Sequence, residues 1–245
     1  MKKLVAGLVA LTATACATAP GTTSKNDPYE GFNRSMLEFN LALDDAVLEP
    51  VSKGYTAVTP EFGRDRVADF FRNLGEPVTF INNVLQGEGT RAGQSGFRFV
   101  INTTLGIAGL WDVARYNGLE QDKEDFGQTL AVWGVDSGPY LVMPILGSTN
   151  PRDLFGFGVD RAMNPTNFVR YSGDDDDDMA IRVGMGVLNG INSRSRAQGA
   201  IDSLKTQAEP YVALRSIYTQ QRDAAIRNGE TAPDEYDELP EFEDF

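Results

Sequence analysis

Apolar positions recur along this chain with the period of a helix. In "NDPYEGFNRSMLEFNLALDDAV", Phe32, Met36, Phe39, Leu43 and Val47 follow at spacings of four, three, four and four, which puts them on one helical face. Asp27 offers an N-cap, Pro28 suits the first helical position, Glu30 stands where a capping box wants it, and Pro50 predicts the end. A second helix is predicted from Thr59-Pro60-Glu61, with Val67, Phe70, Phe71 and Leu74 as its stripe and a break at Gly75 and Glu76-Pro77 before "VTFINNVL". "FRFVINTTLGIAGLWDVA" carries no charge from Phe99 to Trp111. "MAIRVGMGVLNGINSRSRAQGAIDSLKTQ" and "EPYVALRSIYTQQRDAAIRNG" predict two or three amphipathic helices, the last ending at Asn228-Gly229. There is no sustained period-two pattern and no internal repeat, so the predicted class is all-α, one mainly helical domain over residues 27–229.

One segment breaks the pattern. "FGQTLAVWGVDSGPYLVMPILGSTNP", Phe126 to Pro151, holds a single charge, Asp136, and is long enough for a bilayer-spanning helix, which needs about 20 apolar residues. Gly127, Gly134, Gly138, Gly147, Pro139 and Pro144 exclude a straight helix. An apolar but broken segment is tolerable in a protein core, or against a membrane where neighbours satisfy the freed backbone groups.

The N-terminus places the chain. "MKKLVAGLVALTATACATAP" has two lysines, a short apolar run, a small-residue box and then Cys16, the only cysteine. This is the layout of a secretory signal over residues 1–15. It resembles a lipoprotein signal, with Cys16 as the attachment site for a diacylglycerol and an N-acyl chain, and no other cofactor or metal is expected. Ala17 rather than Asp after the cysteine favours the outer membrane. Residues 16–26 read as the lipidated cysteine and a tether, and the aromatics Tyr29, Phe32, Phe39, Phe70, Phe71, Phe97 and Phe99 read mostly as core. Beyond Arg227 there are eight acids and no base, so residues 230–245 read as an acidic, solvated tail.

The net charge of −13 makes nucleic acid a poor partner, since phosphate neutralisation needs clustered Lys and Arg. The chain has no histidine, which removes the commonest general base and metal ligand, and no serine has the surroundings of a nucleophile elbow. "GEGTRA", with Gly87, Gly89 and Ala92 and then Asp112, fits a loose dinucleotide fingerprint, yet no strand–helix alternation follows it. Asp174–Asp178 lacks the Gly and Glu of an EF-hand loop, having Met179 and Met185 there, and reads as a solvated loop.

"DPYEGFNRSMLEFN", "GEPVTFINNVLQGE", "FVINTTLGIAGLWDVA", the Phe126–Asp153 stretch and "EPYVALRSIYTQQR" together resemble the VacJ/MlaA lipoproteins of Gram-negative outer membranes, in order and spacing, over about residues 27–222. The resemblance implies a ring-shaped, all-helical lipoprotein embedded in the outer membrane beside a trimeric porin and facing the periplasm. It would take phospholipids from the outer leaflet and pass them to a soluble periplasmic carrier, which is transport and not catalysis. On that reading Gly134, Gly138 and Pro139 let the broken segment bend, and Tyr140, Leu141, Val142 and Met143 line or gate the lipid route. Asp27, Pro28, Phe32, Asn33, Phe39 and Asn40 form a family-motif helix that either caps and packs or holds the channel closed. A structural or porin-binding lipoprotein without transport is the alternative class.

Overall fold

The structure, a computed structural model, describes residues 27–229; the signal, Cys16 with its tether, and the acidic tail lie outside them. Helix α1 (Glu30–Leu43) passes through one π-helical turn, Asp44–Leu48, straight into α2 (Glu49–Val58). The predicted stop at Pro50 is therefore corrected. Proline clashes with the carbonyl four residues back in an α-helix, and the wider π turn just before it relieves that clash. Nor does Asp27 cap α1. It is buried, accepts a hydrogen bond from the Tyr211 hydroxyl and pairs with Arg215 at 3.2 Å, tying the start of the domain to its last helix.

Helix α3 (Glu61–Gln86) runs unbroken through Pro77 and, after a turn at Gly87, packs antiparallel to α4 (Gly89–Thr104). The predicted break fails because tertiary contacts outweigh propensity. The buried face of α3 is polar and tied rung by rung to α4: Asn73 donates to Thr103 at 3.0 Å, Glu76 takes Arg98 at 2.8 Å and Asn83 donates to Ser95 at 3.2 Å. The glycines of "GEGTRA" are thus the turn of a helical hairpin, and Asp112 caps the short α5 (Val113–Tyr116) while holding Arg98.

The broken segment resolves into α6 (Phe126–Val132), a hairpin of β1 (Leu141–Met143) and β2 (Gly147–Thr149), and the start of α7 (Pro151–Met163). The strands are antiparallel, with Val142 opposite Ser148. A 3₁₀ turn, Pro165–Asn167, leads to α8 (Asp175–Arg196), α9 (Gln198–Lys205) and α10 (Pro210–Ile226). The aspartate run is a second correction. Asp174 caps α8 through its side chain, and the next four acids fill the first turn, where the helix dipole favours negative charge.

Solvent-facing and interior positions are inverted. Among the described residues, six hydrophobic residues are buried against 24 polar or charged ones, while 33 large hydrophobic side chains are exposed. Phe32 and Phe39, at 42% and 49% exposure, face outward, and it is Asn33 and Leu37 that α1 buries. None of the seven aromatics read as core is buried: Tyr29, Phe32, Phe39 and Phe97 are exposed and Phe70, Phe71 and Phe99 half-buried. An apolar surface of this extent marks an interaction surface, for protein or for membrane. No described helix is long and apolar enough to cross a membrane.

Close backbone approach holds α6 against α7. A Cβ on Gly127 would sit 2.5 Å from Arg222 Nη2 and 2.6 Å from Asp153 Oδ1, and one on Gly156 would overlap the Gly127 backbone. Gly127→Ala is expected to destabilise the domain by about 1–3 kcal/mol by overpacking. Gly158→Ala, two residues further along α7 than Gly156 with open space around its Cβ, should be neutral or slightly stabilising. Thermal midpoints of the two variants in detergent give the comparison; equal midpoints would refute the packing argument.

Candidate functional site

Helix periodicity builds a cavity of about 660 Å³. Ala68, Phe71, Arg72, Gly75, Val78 and Thr79 of α3 face it, as do Asp153, Phe157, Asp160 and Arg161 of α7 and Asn164 at its C-terminal cap. Asn189, Asn192, Ser193 and Arg196 of α8, and Tyr218 and Arg222 of α10, complete the helical walls at spacings of three and four. Ser148 and Thr149 of β2, with Leu146 before it, and the segment from Gln121 to Asp125 close the remainder. Most of the lining residues are polar or charged, with Ala68, Phe71, Val78, Leu146 and Phe157 adding apolar wall, whereas the outward faces of α3, α7 and α8 carry Phe62, Phe80, Phe155, Val183 and Val187.

Charge in the cavity is concentrated and paired. Arg222 forks onto Asp125 with two bonds of 2.7 Å and reaches Asp153 at 2.7 Å, where the Tyr218 hydroxyl and the Asn150 amide also donate. Burial opposes ionisation of Asp125 and Asp153, but the Arg222 guanidinium outweighs it and holds both below the usual carboxylate range. Asp160 behaves oppositely: burial pushes it up despite the Phe126 N–H and the Asn82 amide that donate to it.

Glu124 is the most perturbed acid. Burial outweighs the Gln86 hydrogen bond and raises its carboxyl to about 7, from 4.5 in the unfolded chain. The folded protein therefore keeps a proton that the unfolded chain loses above 4.5. No penalty exists below that value; stability falls as pH rises from there through about 7 and the loss is then complete, at most about 3 kcal/mol. Glu124→Gln is expected to flatten the dependence, so denaturation midpoints at about pH 5 and pH 8 should differ less in the variant than in the parent. An unchanged difference would assign the slope to another group.

The two sets of residues singled out by the sequence meet. Asn33 donates to the Tyr140 carbonyl at 3.0 Å and accepts from the Val142 N–H at 2.8 Å. Asn40, two helical turns on, donates to the Met143 carbonyl at 3.0 Å and accepts from the Ile145 N–H at 2.8 Å. The two amides act as backbone surrogates, clamping β1 to α1 at both ends. Phe32, Phe39 and Pro28 take no part and lie at the surface. Gly134 closes α6 at φ 86 and Gly138 packs beside Pro151 at φ 71. None of Gly134, Gly138, Pro139, Tyr140, Leu141 and Met143 borders the cavity; Val142 is fully buried, and Tyr140 backs the wall through Ser148 at 2.8 Å and ring contact with Tyr218. The wall residues Asp153, Asp160, Arg161 and Arg222 were not singled out from the sequence, although Asp153, Asp160 and Arg161 of one helix, followed by Asn164 at its end and with apolar neighbours between, are a signal for a polar inner face.

One cluster of three acids among the described residues has metal-like spacing, Asp44, Asp45 and Glu49. The Lys205 ammonium sits among them at 2.8, 2.5 and 3.0 Å, so their charge is already met by an internal cation.

The sequence profile of the MlaA lipoprotein family matches residues 25–225. The chain belongs to the MlaA lipoprotein family. It is 35% identical over 241 residues to the intermembrane phospholipid transport system lipoprotein MlaA of Haemophilus influenzae, covering 92% of this chain and 90% of that protein. To the protein of the same name in Escherichia coli it is 32% identical, over 86% of this chain and 82% of that one. An uncharacterised protein of Rickettsia conorii is 41% identical over 84% of this chain and 80% of its own length. Among solved structures, one described as the structural basis for maintenance of bacterial outer membrane lipid asymmetry superposes with a TM-score of 0.71 at 32% identity, covering 82% of this chain and all of that one. In this MlaA-family chain the cavity, the asparagine clamp and the close α6–α7 contact all fall inside the matched region.

Proposed function

We propose that this outer-membrane lipoprotein removes phospholipids that have strayed into the outer leaflet and hands them to a soluble periplasmic carrier, maintaining the lipid asymmetry of the outer membrane. The observation that carries the reading is the inversion: a polar cavity of about 660 Å³ inside a body whose large apolar side chains point out. Moving a charged headgroup through hydrocarbon costs several kcal/mol, and a polar-walled cavity removes that barrier while the exposed phenylalanines and valines rest against acyl chains. On this reading the body is a ring lying within the membrane beside a trimeric porin, facing the periplasm. Cys16 anchors it through its diacylglycerol and N-acyl chain, three chains where two suffice for stable attachment. No reaction is required. The hairpin that Asn33 and Asn40 clamp is the part placed to move, bending at Gly134, Gly138 and Pro139, with Tyr140, Leu141 and Met143 carried along.

The test is phospholipid exposed on the outer leaflet of cells lacking the protein, with the parent and Cys16→Ser restored separately. Exposure should rise on deletion and be reversed by the parent alone. Exposure that never changes would leave a structural lipoprotein as the function.

A further inference from the structure

Five cations line the cavity. Three are committed within the described residues: Arg72 to Asp69, Arg196 to Asp65 at 2.5 Å, and Arg222 to Asp125 and Asp153. Lys123 and Arg161 have no ion pair among the described residues. Arg161 differs from Lys123 in its setting. A recess of about 140 Å³ opens between α3, the 3₁₀ turn and α8, and Arg161 lines both the recess and the main cavity, together with Phe71, Gly75, Asn164 and Asn189. The recess's other cation, Arg182, is occupied by the carbonyls of Thr166 and Val169 at 3.1 Å each.

The donors at this junction are free and oriented. The Arg161 guanidinium lies over the Phe157 ring at 5.3 Å, and its N–H groups have no hydrogen-bond acceptor among the described residues. The Asn164 side-chain oxygen accepts from the Thr166 N–H and hydroxyl, fixing the amide so that its NH₂ has no acceptor among the described residues. Asn189 has no side-chain hydrogen bond among them. The neighbouring carboxylate, Asp160, is taken up by the Phe126 N–H and Asn82. A group with one negative charge and two oxygens matches a guanidinium fork flanked by two amides.

We propose that Arg161, with the amides of Asn164 and Asn189, forms a binding station for the phosphodiester of a phospholipid headgroup, where the cavity meets its side recess. The assignment rests on reading the cavity as the lipid route. Phe71 and Phe157 beside the fork suit the ester-linked glycerol of a lipid, which free phosphate lacks.

The experiment is equilibrium binding to the full-length protein purified in detergent. The probes are fluorescent phosphatidylglycerol, whose headgroup charge is the phosphodiester alone, and fluorescent diacylglycerol with the same chains. The parent should prefer the phospholipid by about tenfold, Arg161→Gln should erase the preference without weakening diacylglycerol binding, and Arg161→Lys should keep part of it. Asn189→Ala, on the cavity face of α8 and solvent-accessible there, should weaken phospholipid binding by about threefold and guards against a folding defect in the arginine variants. Full preference in folded Arg161→Gln and in Asn189→Ala overturns the station while leaving the lipid route intact. A parent that binds neither lipid overturns the route itself. Displacement of phosphatidylglycerol from the parent by equimolar inorganic phosphate would make the ligand free phosphate, and the lipid assignment would fall.

Discussion

Arg98→Met is expected to destabilise the domain by about 3–5 kcal/mol, a large share of the about 5–15 kcal/mol that ordinarily holds a domain folded. Arg98 is 1% exposed and sits where three pieces of chain meet. Its Nε donates to Glu76 of α3 at 2.8 Å, its Nη2 to both oxygens of Asp112 at 3.1 and 3.0 Å, and its Nη1 to the Leu119 carbonyl. Methionine matches much of the volume, so the loss is electrostatic and not a cavity. Glu76 is fully buried and its second oxygen already lacks a partner. Burial pushes its carboxyl up and the arginine is the main opposing influence, so without Arg98 the carboxyl is pushed up further. Two outcomes follow for chemical denaturation followed by circular dichroism. The variant should regain part of its loss as pH falls and Glu76 takes a proton, and the triple variant Arg98→Met, Glu76→Gln, Asp112→Asn should be more stable than Arg98→Met alone, because it leaves no unpaired charge. A single variant within about 0.5 kcal/mol of the parent would mean that the triad carries no net energy.

The same residue shows what periodicity can and cannot reveal. The helical period of Phe32, Met36, Phe39 and Leu43 is legible because it does not depend on what lies outside the helix. Which side faces in is not fixed by the period: Phe32 and Phe39 of the stripe are exposed, Met36 and Leu43 are half-buried with Met36 against Leu37, and Asn33 marks the interior. Arg98 stands between two phenylalanines as one charge with no periodic mark; only the carboxylates of Glu76 and Asp112, 22 and 14 residues away, account for it. Pro77 reads as a break because its cost is local and visible, whereas the ties from Asn73, Glu76 and Asn83 that offset it are long-range. Strands of three residues, Leu141–Met143 and Gly147–Thr149, are too short to display an alternation. The cavity is hidden for a related reason: its wall draws a few residues from each of several distant elements, and no single stretch contains it.

Asn33→Ala and Asn40→Ala are expected to separate stability from motion of the hairpin. Asn33 is fully buried, and truncating it strands the Tyr140 carbonyl and the Val142 N–H and removes a donor to the Tyr211 hydroxyl. Unpaired buried groups cost about 1–3 kcal/mol each, so the variant should lose about 3 kcal/mol or more of global stability. Asn33→Asp should fare little better: its carboxylate can accept from Val142 but faces the Tyr140 carbonyl without a proton to give. Asn40 is half-buried and holds the hairpin tip, where Ile145 is 79% exposed and stands at φ 66, a costly conformation for a branched residue. Water can replace the Asn40 amide there, so Asn40→Ala should cost only about 1 kcal/mol globally. Its effect should be local: faster hydrogen exchange over residues 141–149, with the thermal midpoint nearly unchanged. If the hairpin governs access to the lipid route, outer-leaflet phospholipid in cells carrying Asn40→Ala will depart from the parent's level although the protein is folded. Faster exchange with normal lipid exposure would leave the clamp a structural tie and remove the hairpin from the transport path. Unchanged exchange would show that the Asn33 amide, β1–β2 pairing and the buried Val142 hold the hairpin without Asn40.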